Sequence, residues 1–142
     1  MRPESIVMFE RLFLASLVVS AGSFLIGYED TMRLAASDPA MQRFGLGSGF
    51  LLGTLAVSFA IYLLLWYLIA HKASNVAKWI LIVLVAIGLA TVPMSLTGAM
   101  TTPLLLNLAV YALEVAAVVF LFRADAKAWF KGELGSDPAT FD

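Results

Sequence analysis

Long stretches without a charged residue constrain this chain more than any other feature of its sequence. The three longest cover residues 12–28, 44–70 and 79–113, which are 17, 27 and 35 residues long. A helix that crosses a bilayer needs roughly 20 apolar residues. The stretches are continuously apolar rather than alternating, which argues against a β-barrel. Because the backbone cannot cross hydrocarbon with unsatisfied hydrogen bonds, each crossing must be a helix, and the sequence predicts an all-α integral membrane protein.

Composition excludes most other classes of protein. Of the 142 residues 61% are hydrophobic and 13% are charged, whereas a soluble domain has about 45–50% and about 25%. The hydrophobic fraction is also too high for a disordered chain. The net charge of −1 argues against a nucleic-acid partner. With no cysteine and a single histidine, His71, neither a metal site nor a cofactor is expected.

Prolines divide the last and longest apolar stretch into two spans. Pro93, Gly98 and Pro103 interrupt residues 79–122, and proline ends or kinks a helix. The result is a four-helix bundle followed by an interfacial segment and a flexible cytoplasmic tail. The predicted spans are about 4–28, 47–70, 77–97 and 104–122, the interfacial segment is 124–131, and the tail is 132–142.

Local signals predict several helix ends. Pro3 suits the first position of the first helix, and Ser74 or Asn75 can cap the third. A short helix at 31–36 and a second helix start at Asp38-Pro39 are expected between the first two spans. Glu4 and Glu10 are unlike the positive start of a signal peptide, so the first segment is expected to remain as an anchor.

Two expectations concern the beginning of the first helix. Its apolar positions are expected to face lipid, and they are Ile6, Phe9, Leu12 and Phe13. Glu10 is expected to pair with Lys72 or Lys78 at the membrane boundary.

The distribution of basic residues predicts the topology. Seven of the nine fall at the N-terminus, the second loop or the C-terminus: Arg2, Arg11, Lys72, Lys78, Arg123, Lys127 and Lys131. Arg33 and Arg43 lie in the first loop. By the positive-inside rule both termini are cytoplasmic. Trp66, Trp79 and Trp129 fall on the same side, as an interfacial aromatic belt would.

Small residues predict where helices pack closely, because lipid gives apolar helices no other reason to associate. Gly45, Gly49 and Gly53 form a glycine ladder at the start of the second span. It can pack within the bundle, form a dimer seam, or belong in part to a loop at 45–49. The other helices carry similar stripes: Ser16, Ser20, Ser23 and Gly27 on the first, Ala86 and Ala90 on the third, and Ala112 and Ala116 on the fourth.

Glu114 is the one ionisable residue well inside a predicted span. It is close to the midplane, where an ionised carboxylate costs about 2.5–3.5 kcal/mol. No Lys, Arg or His lies at a comparable depth in the other spans. We therefore expect Glu114 to be largely protonated at neutral pH, because loss of water disfavours the anion.

The neighbours of Glu114 predict a polar site. Asn107 and Tyr111 share its helical face, at spacings of i−7 and i−3. Ser58 and Tyr62 of the second span lie at about the same depth. In a functional interpretation Glu114 titrates as a substrate or proton passes. In a structural one it donates a hydrogen bond to a Tyr or Ser and locks the bundle.

Three short sequences carry a resemblance. Arg2-Pro3-Glu4-Ser5-Ile6 followed by Phe9-Glu10, Ser74-Asn75-Val76-Ala77-Lys78-Trp79, and Ala128-Trp129-Phe130 resemble an uncharacterised family of small four-helix bacterial inner-membrane proteins. The resemblance implies a bacterial plasma membrane. It implies no activity and no functional residues.

Three functions are compatible with these observations. Catalytic motifs such as G-x-S-x-G, a P-loop or H-E-x-x-H are missing, so we expect no enzyme. The first expectation is a structural or accessory subunit that packs against itself, as a homo-oligomer, or against a larger membrane complex. The second is a small proton-coupled transporter or carrier using Glu114. The third is a lipid or quinone pocket lined by Tyr62, Tyr111 and Glu114.

Overall fold

The computed structural model describes residues 2–95 and 102–132, and the described chain is helical almost throughout. Seven helices follow one another: α1 (Glu4–Ile26), α2 (Tyr28–Ser37), α3 (Pro39–Arg43), α4 (Ser48–Lys72), α5 (Asn75–Ser95), α6 (Thr102–Phe120) and α7 (Ala124–Lys131). The predicted all-α class is confirmed for this part of the chain. The predicted turn at Gly98 and the tail at 133–142 lie outside the described residues.

Three helices are long and apolar enough to cross a membrane: α1, α4, and α5 over residues 75–92. The fourth candidate span is Leu104–Phe120 of α6, which passes the same test only when Ala124–Lys131 is counted with it. The two are bent by 68° between Phe120 and Ala124. The described chain thus has three to four candidate spans.

The four long helices form a ring in the order α1, α4, α5, α6, since each contacts the next and α6 contacts α1. The contact between α1 and α6 is the most extensive. On α1, Ile6, Phe9 and Phe13 are completely buried in the core, and the rings of Phe9 and Phe13 are stacked 5.4 Å apart. The expectation that these three residues face lipid is therefore wrong. Core and lipid-facing surfaces are both apolar in such a bundle, so hydropathy does not separate them.

The small-residue stripes were predicted correctly on only one helix. Ser16 and Ser23 of α1 and Gly27 at its end are buried, and Ser20 is half-buried. In contrast, Ala86 and Ala90 of α5 are exposed, and on α6 Ala112 is exposed while Ala116 is half-buried. The buried positions of α6 are instead Val110, Glu114 and Ala117, and Leu121 just after its end is also buried. The buried positions of α5 include Ala77, Leu81 and Val85.

The glycine ladder does not pack within the bundle. Gly45 lies before α4, with a left-handed φ of +64° that favours glycine. Gly49 and Gly53 lie on α4, where a Cβ atom would meet nothing within 4 Å. This corrects the expectation of packing inside the bundle and leaves the dimer seam as the alternative for Gly49 and Gly53.

Local hydrogen bonds explain the helix starts. Asp38 accepts from the backbone N–H groups of Ala40 and Met41 at 2.7 and 3.3 Å, and Pro39 follows it at the first position of α3. The predicted start at Asp38-Pro39 is confirmed. Ser74 Oγ accepts from the Ala77 N–H at 3.2 Å, before α5. Pro3 precedes α1 as its cap residue rather than occupying its first position.

One end of the bundle, here called the α7 end, gathers the start of α1, the end of α4, the start of α5 and α7. The Asp125 carboxylate accepts from the Ser5 Oγ at 2.6 Å and the Ser5 N–H at 3.0 Å. Trp129 Nε1 donates to the Ile69 carbonyl at 3.3 Å. These bonds hold α7 against α1 and α4.

Glu10 pairs differently from the prediction. Its carboxylate lies 2.6 Å from the Arg2 guanidinium and not against Lys72 or Lys78. The two partners are separated by about two helical turns on the N-terminal segment, so the ion pair is local rather than a clasp between helices.

We predict that Asp125→Asn destabilises the protein by on the order of 1 kcal/mol at pH 7, because the amide lacks the charge that strengthens both bonds. The hydrogen bonds from Ser5 hold the pKa of Asp125 below its ordinary value of 3.8. A carboxyl with a lowered pKa stabilises the fold above its unfolded pKa and loses that contribution as the pH falls through its folded pKa.

Thermal melting in detergent from pH 7 to pH 3 measures this effect. The gap between wild type and Asp125→Asn should stay constant down to about pH 4 and then close. Asp30→Asn, at an exposed position of α2, is the control. Equal melting temperatures at pH 7, or a gap that persists in acid, would contradict the prediction.

Candidate functional site

A cavity of about 190 Å³ lies between all four long helices. Its polar lining consists of Ser20 from α1, Ser58 and Tyr62 from α4, and Tyr111 and Glu114 from α6. Leu17, Leu55, Phe59 and Gly88 complete the wall. Four of the five residues predicted to form a polar site thus line one cavity, although they come from two helices: Ser58, Tyr62, Tyr111 and Glu114.

Glu114 lines the cavity because it lies on the face of α6 that packs against the other helices. Val110, Glu114 and Ala117 follow one another at spacings of four and three and are all buried, which is the pattern of a single helical face. The Glu114 residue is only 6% exposed. Among the described residues, the salt bridges join other groups, so no cation neutralises its carboxylate.

Two hydroxyl groups come from one face of α4. Ser58 and Tyr62 are four residues apart and therefore lie one turn apart on the same side of the helix. Ser58 Oγ donates to the Thr54 carbonyl at 2.9 Å, so toward the cavity it can act only as an acceptor. The ring centroid of Tyr62 lies 6.1 Å from that of Phe13, so the cavity wall packs against the core.

Tyr111 fits into the cavity because position 88 has no side chain. A Cβ atom on Gly88 would lie 2.8 Å from Tyr111 Cε1 and 3.4 Å from its hydroxyl oxygen. The first of these distances is too short for any real contact. Gly88 was not singled out from the sequence, because nothing in the sequence shows which side chain of another helix approaches it.

Asn107 lies outside this cavity. It lines a separate space of about 140 Å³ together with Val92, Leu104, Leu108 and Tyr111. Asn107 is exposed, and Tyr111 is the only one of these residues that also borders the Glu114 cavity. The heptad spacing placed Asn107 on roughly the right face of α6 but one turn beyond the site.

Other short hydroxyl side chains of the long helices donate hydrogen bonds within their own helices. Ser16 Oγ donates to the Phe13 carbonyl at 2.7 Å, and Thr91 Oγ1 donates to the Gly88 carbonyl at 2.6 Å. These bonds are the usual way for a helix to accommodate a short hydroxyl side chain. Only Ser20 of the serine stripe lines the cavity.

The cavity is suited to proton exchange and to small ligands. A carboxyl group and two phenol groups can all give and accept protons or hydrogen bonds. The volume is below the roughly 300–1,000 Å³ of pockets for drug-sized ligands, so a small ion, a small solute or several waters fit. No group of three or more potential metal ligands of the His, Cys, Asp or Glu type occurs among residues 2–95 and 102–132.

Comparison with known proteins identifies no relative. No family model matches the chain, and neither a curated protein nor a solved structure matches it.

We predict that Gly88→Ala displaces the Tyr111 ring and destabilises the fold by about 1–3 kcal/mol, the usual cost of overpacking. Gly22→Ala, on α1, is a matched control because a Cβ atom there meets nothing within 4 Å. Melting temperatures and tyrosine fluorescence in detergent report both effects. If the two variants melt together, Gly88 does not hold Tyr111 in place.

Proposed function

We propose that this chain is a small proton-coupled membrane carrier in which Glu114 binds and releases a proton inside the cavity. The observation that supports the proposal most strongly is the position of Glu114. It is buried, it lines a cavity bounded by four helices, and no cation pairs with it in the described chain. An ionisable group that is costly to bury and has no structural partner is typical of a transport pathway.

The structural interpretation of Glu114 receives less support. It requires a hydrogen bond from the protonated carboxyl to a Tyr or Ser of a neighbouring helix. Ser20, Ser58, Tyr62 and Tyr111 all border the cavity, yet no such bond to Glu114 occurs among the described residues. A carboxyl that borders open space and makes no locking contact is better suited to exchange.

The cavity size limits the cargo. A volume of about 190 Å³ suits a small cation or a small polar solute rather than a lipid or a quinone. Two tyrosine rings and one carboxylate favour a cation, because ring faces and the anion both attract positive charge. A proton on Glu114 and a cation beside it would exclude each other, which couples the two.

The proposed location is the bacterial inner membrane with both termini in the cytoplasm. The seven-to-two distribution of basic residues supports this orientation. It puts the α7 end at the cytoplasmic surface and the α2–α3 segment outside. The partner is then the lipid bilayer, and neither a cofactor nor a catalytic residue is part of the proposal.

Proteoliposomes with a pH-sensitive dye inside test the carrier. We predict proton flux that a screen of small cations accelerates, and loss of at least about tenfold in Glu114→Gln because the amide cannot exchange a proton. Glu114→Asp should retain part of the flux. Glu29→Gln, the same change at an exposed position of α2, should have no effect.

Two results would contradict the proposal. One is a wild-type protein that carries no flux above that of empty liposomes under any cation of the screen. The other is a Glu114→Gln variant that carries as much flux as wild type while it melts at the same temperature.

A second candidate is an accessory subunit that associates with its own copies. The observation in its favour is the outer face of α4, where Gly49 and Gly53 are exposed and unobstructed. Glycines four residues apart let two helices approach closely in a membrane. The two functions are compatible, since Gly49 and Gly53 do not line the Glu114 cavity.

The lack of cysteine makes cross-linking a direct test of the second candidate. We predict that Gly53→Cys forms a disulfide-linked dimer in membranes under mild oxidation. Ala86→Cys, at an exposed position of α5, should stay monomeric. Equal cross-linking at both positions would indicate random collision and would contradict a seam along α4.

A further inference from the structure

Lys78 forms a second site, remote from Glu114, at the α7 end. It lies in the first turn of α5 and is only 8% exposed. Its Nζ atom lies 4.7, 5.5 and 5.7 Å from the ring centroids of Phe130, Phe122 and Trp79. A lysine this deeply buried is rare unless it is paired.

No carboxylate balances the charge of Lys78 in the described chain. The two acidic residues with partners at this end are Asp125, which is bonded to Ser5, and Glu10, which is paired with Arg2. The charged neighbour of Lys78 is another cation, Lys127 of α7. Aromatic faces attract an ammonium group, but they do not neutralise it. Within residues 2–95 and 102–132, these two lysines thus lie near each other without an anion to balance them.

The surroundings of Lys78 indicate where the missing anion comes from. Trp79 and Phe122 pack edge to face, 6.3 Å apart, and both are exposed on the outside of the bundle. Exposed tryptophan beside basic residues is typical of the level of lipid headgroups. Phe130 of α7 lies against Lys78 Nζ, and Lys127 is three residues before Phe130 on the same helix, so both lie on the same side of α7. An anion that approaches along the surface of the bundle at this level is a lipid phosphate.

We propose that Lys78 and Lys127 bind the phosphate group of an anionic lipid headgroup, with Trp79, Phe122 and Phe130 around the bound group. The inference rests on the proposed membrane orientation and is independent of any role of Glu114. Lys78 supplies the buried charge, held in place by the aromatic rings. Lys127 supplies a second charge from the surface helix. The headgroup thereby links α5 to α7.

Lipid retention tests the site. The full-length protein is reconstituted into nanodiscs of phosphatidylcholine with or without phosphatidylglycerol, released in the mass spectrometer and analysed for bound lipid. Wild type should retain phosphatidylglycerol in preference to phosphatidylcholine. Lys78→Gln should retain it at least about tenfold less, because a hydrogen bond between two charged groups is lost. Lys78→Arg should keep the preference.

Lys72→Gln is the matched control, because Lys72 is an exposed lysine at the end of α4, six residues before Lys78. It should retain phosphatidylglycerol within about fivefold of wild type, the effect of losing one lysine from general surface charge. Melting temperatures of all variants in phosphatidylcholine nanodiscs separate loss of the site from loss of the fold. If Lys78→Gln unfolds, Lys127→Gln measures the same loss from the exposed side of the site.

A further experiment distinguishes a lipid phosphate from free phosphate as the bound group. Inorganic phosphate is added to wild type in phosphatidylcholine nanodiscs, and the thermal shift is measured. Stabilisation by phosphatidylglycerol but not by inorganic phosphate supports the lipid site. Stabilisation by inorganic phosphate alone overturns it, as does equal phosphatidylglycerol retention by wild type, Lys78→Gln and Lys127→Gln. Proton flux that fails while lipid retention behaves as expected would contradict only the proposed carrier function.

Discussion

The contact between α1 and α6 joins the first and last of the long helices, and the other contacts are arranged around it. Lipid is as apolar as the side chains, so this contact depends on close packing rather than on escape from water. Phe9 and Phe13 provide the bulk on α1, and Ala117 of α6 is fully buried beside the same core. Ser5 and Asp125 close the contact at the α7 end. The chain is thereby held at both of its described ends.

That contact also decides the surroundings of Glu114. The face of α6 that packs inward carries Val110, Glu114 and Ala117, so the carboxyl cannot reach lipid or the headgroup region. Space remains around the carboxyl because the side chains of Ser20 and Ser58 are small. Gly88 has no side chain and so leaves room for the Tyr111 ring. A carboxyl that is costly to ionise and a cavity that admits a small ligand therefore arise from the same packing. This is the basis of the proposed carrier function.

The sequence predicted features that depend on one segment at a time. The apolar stretches, the Asp38 cap and the Ser74 cap follow from local chemistry, and Glu114 was evident because a charge inside a span is costly. Which face of a helix turns inward could not be predicted, since Phe9, Ala86 and Gly53 are equally compatible with lipid and with a protein core. The role of Gly88 depends on Tyr111, which comes from another helix. Both the inward faces and the approach of Tyr111 to Gly88 depend on how the helices pack against one another, and the contact between α1 and α6 is the largest part of that packing.

The central claim is that Glu114 carries an exchangeable proton in a cavity accessible to water or solute. Infrared spectroscopy of the reconstituted protein at pH 7 measures this directly through the carbonyl band of a protonated carboxylic acid. We expect one such band, which shifts when the sample is transferred to heavy water and is missing in Glu114→Gln. A spectrum without the band, or a band that remains in Glu114→Gln or does not exchange with heavy water, would contradict it.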